Sequence, residues 1–231
     1  MTTAKVRNIK KGTDFFTLVG LLQDSEERFI DWVLRSDPRD DLTVYLNSMG
    51  GEIPSALAMI AAIRVFQKKA ELPTARGSII VHVLGDACSV AAAFVQAFDW
   101  RVAEPSSFLM LHPITAHWES SASELRALIS SIDHETVSLV QIIAARACED
   151  LDEDKAKDVR QSIANALYGS GPVLSGNAQA MYFMGFLDEV NGGALPSRAD
   201  MIAKQREDEA ATQESPTSDV EPASDGGEDA T

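Results

Sequence analysis

The sequence predicts an α/β fold in which helices cover a mostly parallel sheet. Three observations carry that expectation. Short apolar runs rich in β-branched residues, such as Ile79-Ile-Val-His-Val-Leu84, alternate with segments whose apolar residues recur at helical spacing. The chain has 231 residues, 45% of them apolar, enough for one substantial core but not for a second full domain. Glycines follow two of the runs, at Gly50-Gly51 and Gly85, where strands are expected to turn toward helices.

Taken in order, Phe16-Thr-Leu-Val-Gly-Leu-Leu22 reads as the first strand, and Leu42-Thr-Val-Tyr-Leu-Asn47 as the second, leading into Gly50-Gly51. The period changes after Pro54, which suits a first helical turn: Ala56, Met59, Ile60, Ile63 and Phe66 fall on one face. The run 79–84 stops at Gly85 and gives way to the small-residue-rich, helix-competent segment 87–98. Trp100-Arg-Val-Ala103 and Phe108-Leu-Met-Leu111 read as short strands, which puts His112-Pro113 at the exit of the second. From Ser121 to about Arg146, the positions of Leu125, Leu128, Ile129, Ile132, Val140 and Ile143 describe one long amphipathic helix. Ser121 and Glu124 have capping-box spacing at its start, and a helix of that length is expected to project. The charged stretch 149–160 precedes another short helix, and 174–190 holds a helix and a last strand. No internal repeat is apparent.

The folded domain is expected over 15–195, between a short N-terminal segment, 1–14, and a C-terminal tail, 196–231. Glu207 to Thr231 hold nine acids and no Lys or Arg, and Pro216 and Pro222 break any helix. Such a segment buries too little apolar surface to offset its ordering entropy, so disorder and a solubilising role are expected. The formal net charge of −15 argues against a nucleic-acid surface, because phosphate binding needs clustered Lys and Arg. No apolar stretch of about 20 residues is present to span a membrane. The lysine-bearing segment 1–12 leads into no long apolar run with a cleavage site, so no signal peptide is expected. Cys88 and Cys148 lie far apart, outside metal or redox spacing, and a reducing, cytoplasmic setting fits them.

Acyl transfer by serine needs a nucleophile, a base within hydrogen-bond reach, and backbone N–H donors aimed at the developing oxyanion. Ser89 follows the strand ending at Gly85 and stands at the head of a helix, where the dipole favours negative charge. The Val90 N–H is next to it. Gly51 lacks a Cβ and lets its backbone approach a substrate carbonyl, supplying a second donor. His112, at a strand end, presents an imidazole as base. His82 in a strand, His117 in a loop and His134 on the long helix are not paired at metal spacing, so no metal is expected, nor any cofactor. Cys88, adjacent to Ser89, reads as a small buried hydrophobe.

In this order the segments resemble the ATP-dependent Clp protease proteolytic subunit family. Asn47-Ser-Met-Gly-Gly51 is similar to the family's Asn-Ser-Pro-Gly-Gly turn, with Met49 where proline is usual. Gly85-Asp-Ala-Cys-Ser-Val-Ala91 resembles Gly-x-Ala-Ala-Ser-Met-Gly, with Ala91 in place of a glycine; this puts the family's nucleophile on Ser89. Phe108-Leu-Met-Leu-His-Pro113 resembles the motif bearing the catalytic histidine, which puts that role on His112. Leu174-Ser175 and Gly185-Phe-Leu-Asp-Glu-Val190 are similar to the family's closing elements, so the resemblance spans about Phe15 to Val190. It implies a fold of stacked βαβ units of the Clp protease and crotonase type, with segment 121–146 as a projecting handle helix. It also implies stacked rings of identical subunits enclosing a chamber, acting on polypeptide substrates. Unfoldase-gated members carry a longer N-terminal stretch than the roughly fifteen residues here. That argues against docking to an AAA+ ATPase ring and suits a stand-alone or phage-type relative, such as a capsid maturation protease.

The family's third catalytic residue, an Asp just before the Leu-Ser element, aligns without gaps on Gly171, and no acid occurs between Asp158 and Asp188. The group orienting His112 is then Asp158 brought in by another loop path, an amide such as Asn165, water, or nothing. Two alternatives to a serine endopeptidase follow: a catalytically silent ring subunit or scaffold, and an acyl-CoA enzyme of the crotonase type. Ser89 and His112 at these positions argue against the second, as does the lack of a glycine-rich second turn.

Overall fold

The computed structural model describes residues 14–72, 75–115, 121–192, 195–196 and 200. Nearly all of the expected tail, the segment before Asp14, and His117 lie outside the described residues. The architecture is the expected mixed α/β arrangement. Seven strands form one sheet: β1 (Asp14–Leu21), β2 (Leu42–Gly50), β3 (Ile79–Cys88), β4 (Trp100–Ala103), β5 (Phe108–Leu111), β6 (Leu174–Asn177) and β7 (Glu189–Val190). The sheet runs β1-β2-β3-β4-β7 with every pair parallel, while β5 pairs parallel with β3 and antiparallel with β6. The helices are α1 (Glu26–Arg35), α2 (Ile53–Ala70), α3 (Val90–Val95), α4 (Ala122–Ala147), α5 (Glu153–Tyr168) and α6 (Ala178–Phe183).

Strand β3 explains the largest departure from the expected boundaries. It runs on to Cys88 instead of stopping at Gly85 because it changes partner: Ile80 to Val83 pair with β4, and Asp86 to Cys88 pair with Phe108 to Met110 of β5. The helix expected over 87–98 is correspondingly short, Val90–Val95. Much of the charged stretch 149–160 is itself helical. Asp152 caps α5 by accepting from the Lys155 amide at 3.0 Å, which starts the helix inside the charge run. Helix α1 was not anticipated, although Glu26 and Glu27 in its first turn and Arg35 in its last complement its dipole.

The core lies between sheet and helices. Val44, Leu46, Val81 and Val83 are inaccessible to solvent, as are Phe29, Met59, Ile63 and Phe94 from the helices above them. Phe94 packs edge-on against both Phe29 and Phe98, at centroid distances of 5.5 and 5.1 Å. Each such pair adds about 0.5–1.5 kcal/mol beyond its buried area. One buried cation fastens the far side of the sheet: Arg101 donates to both carboxylate oxygens of Asp188, to Gln96 and to the Gly185 carbonyl. Helix α4 is built in two halves. Leu139, Ile143 and Ala147 are buried in the body, whereas Leu125 and Ile129 are about half exposed. No described helix is long and apolar enough to cross a membrane.

Candidate active site

Strands β2, β3 and β5 run parallel and end close together, and the three sequence motifs occupy those ends. Ligands of open α/β sheets bind outside such carboxyl ends. The Asn47-Ser48 pair shapes the first of them. The register between β2 and β3 shifts between Leu46 and Ser48, and Asn47 Oδ1 fills the irregularity by accepting the Asp86 amide at 2.9 Å. Ser48 Oγ donates to the Gly20 carbonyl at 2.6 Å and accepts the Gly50 amide at 3.1 Å. The two side chains thus bind the turn to strands on either side of it. Gly50 and Gly51 have φ of +114° and +147°, which glycine alone adopts freely. A Cβ at Gly51 would also lie 2.1 Å from Gln23 Oε1, the atom that accepts the Glu52 amide.

Ser89 sits where β3 hands over to α3, as the residue preceding the helix, with φ 57° and ψ −133°. That conformation belongs to the first central residue of a type II′ turn, usually glycine, and holding serine there costs on the order of 1–3 kcal/mol. It gives a sharp strand-to-helix turn that raises the side chain away from the strand, the arrangement of a nucleophile elbow. The Ser89 amide donates to the Met110 carbonyl at 2.7 Å, so its backbone is tied to the strand that delivers His112. Val90 follows at the first position of α3, and Ala91 is fully buried within the helix.

His112 leaves β5 half-buried, and its Nδ1 lies 2.7 Å from the Pro113 carbonyl oxygen. A carbonyl only accepts, so Nδ1 carries the proton and Nε2 of the neutral ring is left as the acceptor. The loop bearing that carbonyl is anchored in turn: the Ile114 amide donates to the Leu167 carbonyl at 3.1 Å.

Ser89, His112, Gly51 and Val90 line a single open cavity of about 680 Å³. No Ser89–His112 hydrogen bond is formed among the described contacts, and catalytic hydrogen bonds are often long without substrate. Asp158 and Asn165 are not among the lining residues. Asp158 is exposed on α5. Asn165 is engaged at the end of the same helix, where its Oδ1 accepts from Gln161 and Ser170 and its carbonyl accepts the Gly171 amide. Gly171 is closed to a side chain, since a Cβ there would lie 2.8 Å from Asn165 Cβ. Asp188, the next acid, is committed to Arg101. Two features escaped sequence reasoning: the Pro113 carbonyl at His112 Nδ1, which is backbone, and Glu135 of α4 in the cavity lining, whose helical spacing hid it on a face read as apolar. Among the described residues no cluster of His, Cys, Asp or Glu is arranged to hold a metal ion.

No curated protein matches the chain. The family model described as Clp protease matches residues 29–169, more than half of the sequence and a span holding Gly51, Ser89, Val90 and His112. The parallel sheet, the strand-end site and that match agree: this chain belongs to the Clp protease family.

Proposed function

We propose that the chain is a serine endopeptidase that hydrolyses peptide bonds through an acyl-enzyme on Ser89, with His112 as base. The observation that carries this reading is the meeting of Ser89, His112, Gly51 and Val90 on one cavity, from three separate strand ends. Ser89 Oγ attacks the peptide carbonyl carbon while its proton passes to His112 Nε2. The amides of Gly51 and Val90 receive the oxyanion, and the Ser89 amide does not, being bonded to Met110. Collapse breaks the C–N bond, with His112 returning its proton to the departing amine. Water, deprotonated by His112, then releases the acyl group and restores Ser89.

In this reading the Pro113 carbonyl takes the orienting role that a carboxylate has in a Ser-His-Asp triad. It fixes the tautomer and ring direction but adds no full charge to stabilise the imidazolium. A slower enzyme than a carboxylate-assisted one is expected.

The working unit is an oligomeric ring of identical subunits, a reading supported by family membership and by the exposed apolar residues Leu125 and Ile129 of α4. A cytoplasmic setting is supported by the low cysteine content, Cys88 and Cys148 alone, far apart in sequence. A second reading, a catalytically silent ring subunit, is favoured by one observation: among the described residues no carboxylate forms a hydrogen bond with His112 Nδ1, whose partner is the Pro113 carbonyl. Peptide hydrolysis by the purified chain decides between them. Turnover that disappears in Ser89→Ala supports the peptidase, whereas an assembled protein without turnover supports the silent subunit.

A further inference from the structure

We propose that Glu135 makes the cavity beside Ser89 selective for a substrate residue with an aliphatic stem and a cationic head, lysine or arginine. The inference rests on the serine-peptidase reading above and adds a substrate class to it. Helix α4 presents Leu128, Ser131, Ile132, Glu135 and Leu139 to the cavity, spaced so that they share one helix face. The apolar members suit a methylene chain, and Lys and Arg bury such stems while their charged ends seek a polar partner.

Glu135 is that partner. It is half-buried, and Ser131 Oγ donates to its Oε1 at 3.2 Å, which holds the carboxylate in place. Among the described residues no Lys or Arg forms an ion pair with Glu135, and none lines the cavity. The carboxylate shares the cavity lining with Leu128, Ile132 and Leu139 and, among the described residues, has no basic partner there. Glu52 at the cavity rim adds a second acid of the same sign. Among the described residues His112 is the only other titratable one in the lining, and its Nδ1 is already bonded to Pro113, with no hydrogen bond between His112 and Glu135. Glu135 thus lines the cavity with no hydrogen bond to the base.

The test compares fluorogenic peptides that differ only in the residue before the scissile bond, Arg, Leu or Glu, with the full-length chain. Wild type is expected to favour Arg over Leu in kcat/KM by about tenfold, the scale of one charge-assisted hydrogen bond, and less as salt rises. Glu135→Gln is expected to cut the Arg to Leu ratio by about tenfold, and Glu135→Lys to turn the preference toward the Glu peptide. A ratio, unlike a rate, does not move when a variant merely folds or assembles less well. Equal cleavage of Arg and Leu peptides, or a ratio unmoved in both variants, overturns the selectivity while a fluorophosphonate still labels Ser89. No turnover of any peptide and no Ser89 labelling overturns the peptidase reading together with it.

Discussion

Gly50 and Ser89 touch so closely that a methyl group on Gly50 would lie 2.7 Å from Ser89 Cβ and 3.3 Å from its Oγ. The end of β2 is thus the floor on which the proposed nucleophile stands, and glycine is required there by space as well as by its φ of +114°. Gly50→Ala is expected to lower kcat/KM at least a hundredfold by displacing Ser89. It should cost about 1–3 kcal/mol of stability through overpacking and backbone strain. Steady-state kinetics together with denaturant unfolding checks both effects.

The orienting group of His112 is open to a direct comparison. His112→Ala is expected to lower kcat about a thousandfold or more, as loss of the base does in serine proteases. Asp158→Asn and Asn165→Ala are expected to change kcat less than about threefold, because neither side chain lines the cavity. Gly171→Asp, which restores the family's acid in sequence, is expected to destabilise the fold by about 1–3 kcal/mol without raising kcat, since Asn165 occupies the space.

Cys88 is 3% exposed, and burial pushes its thiol pKa up, with Asp86 adding to the shift. A raised pKa leaves less thiolate at neutral pH, and thiolate is the reactive form. Iodoacetamide is therefore expected to leave Cys88 unmodified in the folded protein and turnover intact. Peptide mapping after alkylation, with and without denaturant, provides the check.

Arg101 is buried at 2% exposure and gathers Gln96, Gly185 and Asp188 around one guanidinium. Arg101→Ala leaves the Asp188 carboxylate, among the described residues, only the longer ion pair with Arg146, at 3.6 Å, and is expected to cost about 2–4 kcal/mol. Arg101→Lys is expected to recover little, because an ammonium lacks the planar fork that meets both carboxylate oxygens. Thermal unfolding of the two variants measures this.

The α/β class, the places of several strands and the residues of the candidate site were legible because they are written in local chemistry. The apolar runs at Leu42 and Ile79 and the glycines after them mark two strand ends that carry Gly51 and Ser89. What stayed hidden depends on contacts distant in sequence. The extension of β3 to Cys88 comes from pairing with β5, and β6 exists because Leu174 to Asn177 pair with that same strand. The positive φ of Ser89 leaves no trace in residue type, since serine there reads as an ordinary helix cap. The contact at His112 Nδ1 was hidden for a related reason. The atom 2.7 Å from Nδ1 is the Pro113 carbonyl oxygen, a main-chain group that any residue at that position would supply.

The central claim is that Ser89 is a nucleophile activated by His112, and covalent labelling measures it most directly. Incubation of the full-length chain with a fluorophosphonate, followed by peptide mapping, is expected to place one adduct on Ser89. That adduct is expected to be absent in Ser89→Ala and strongly slowed in His112→Ala. A correctly assembled wild-type protein that stays unlabelled, or labels equally fast without His112, would contradict the account.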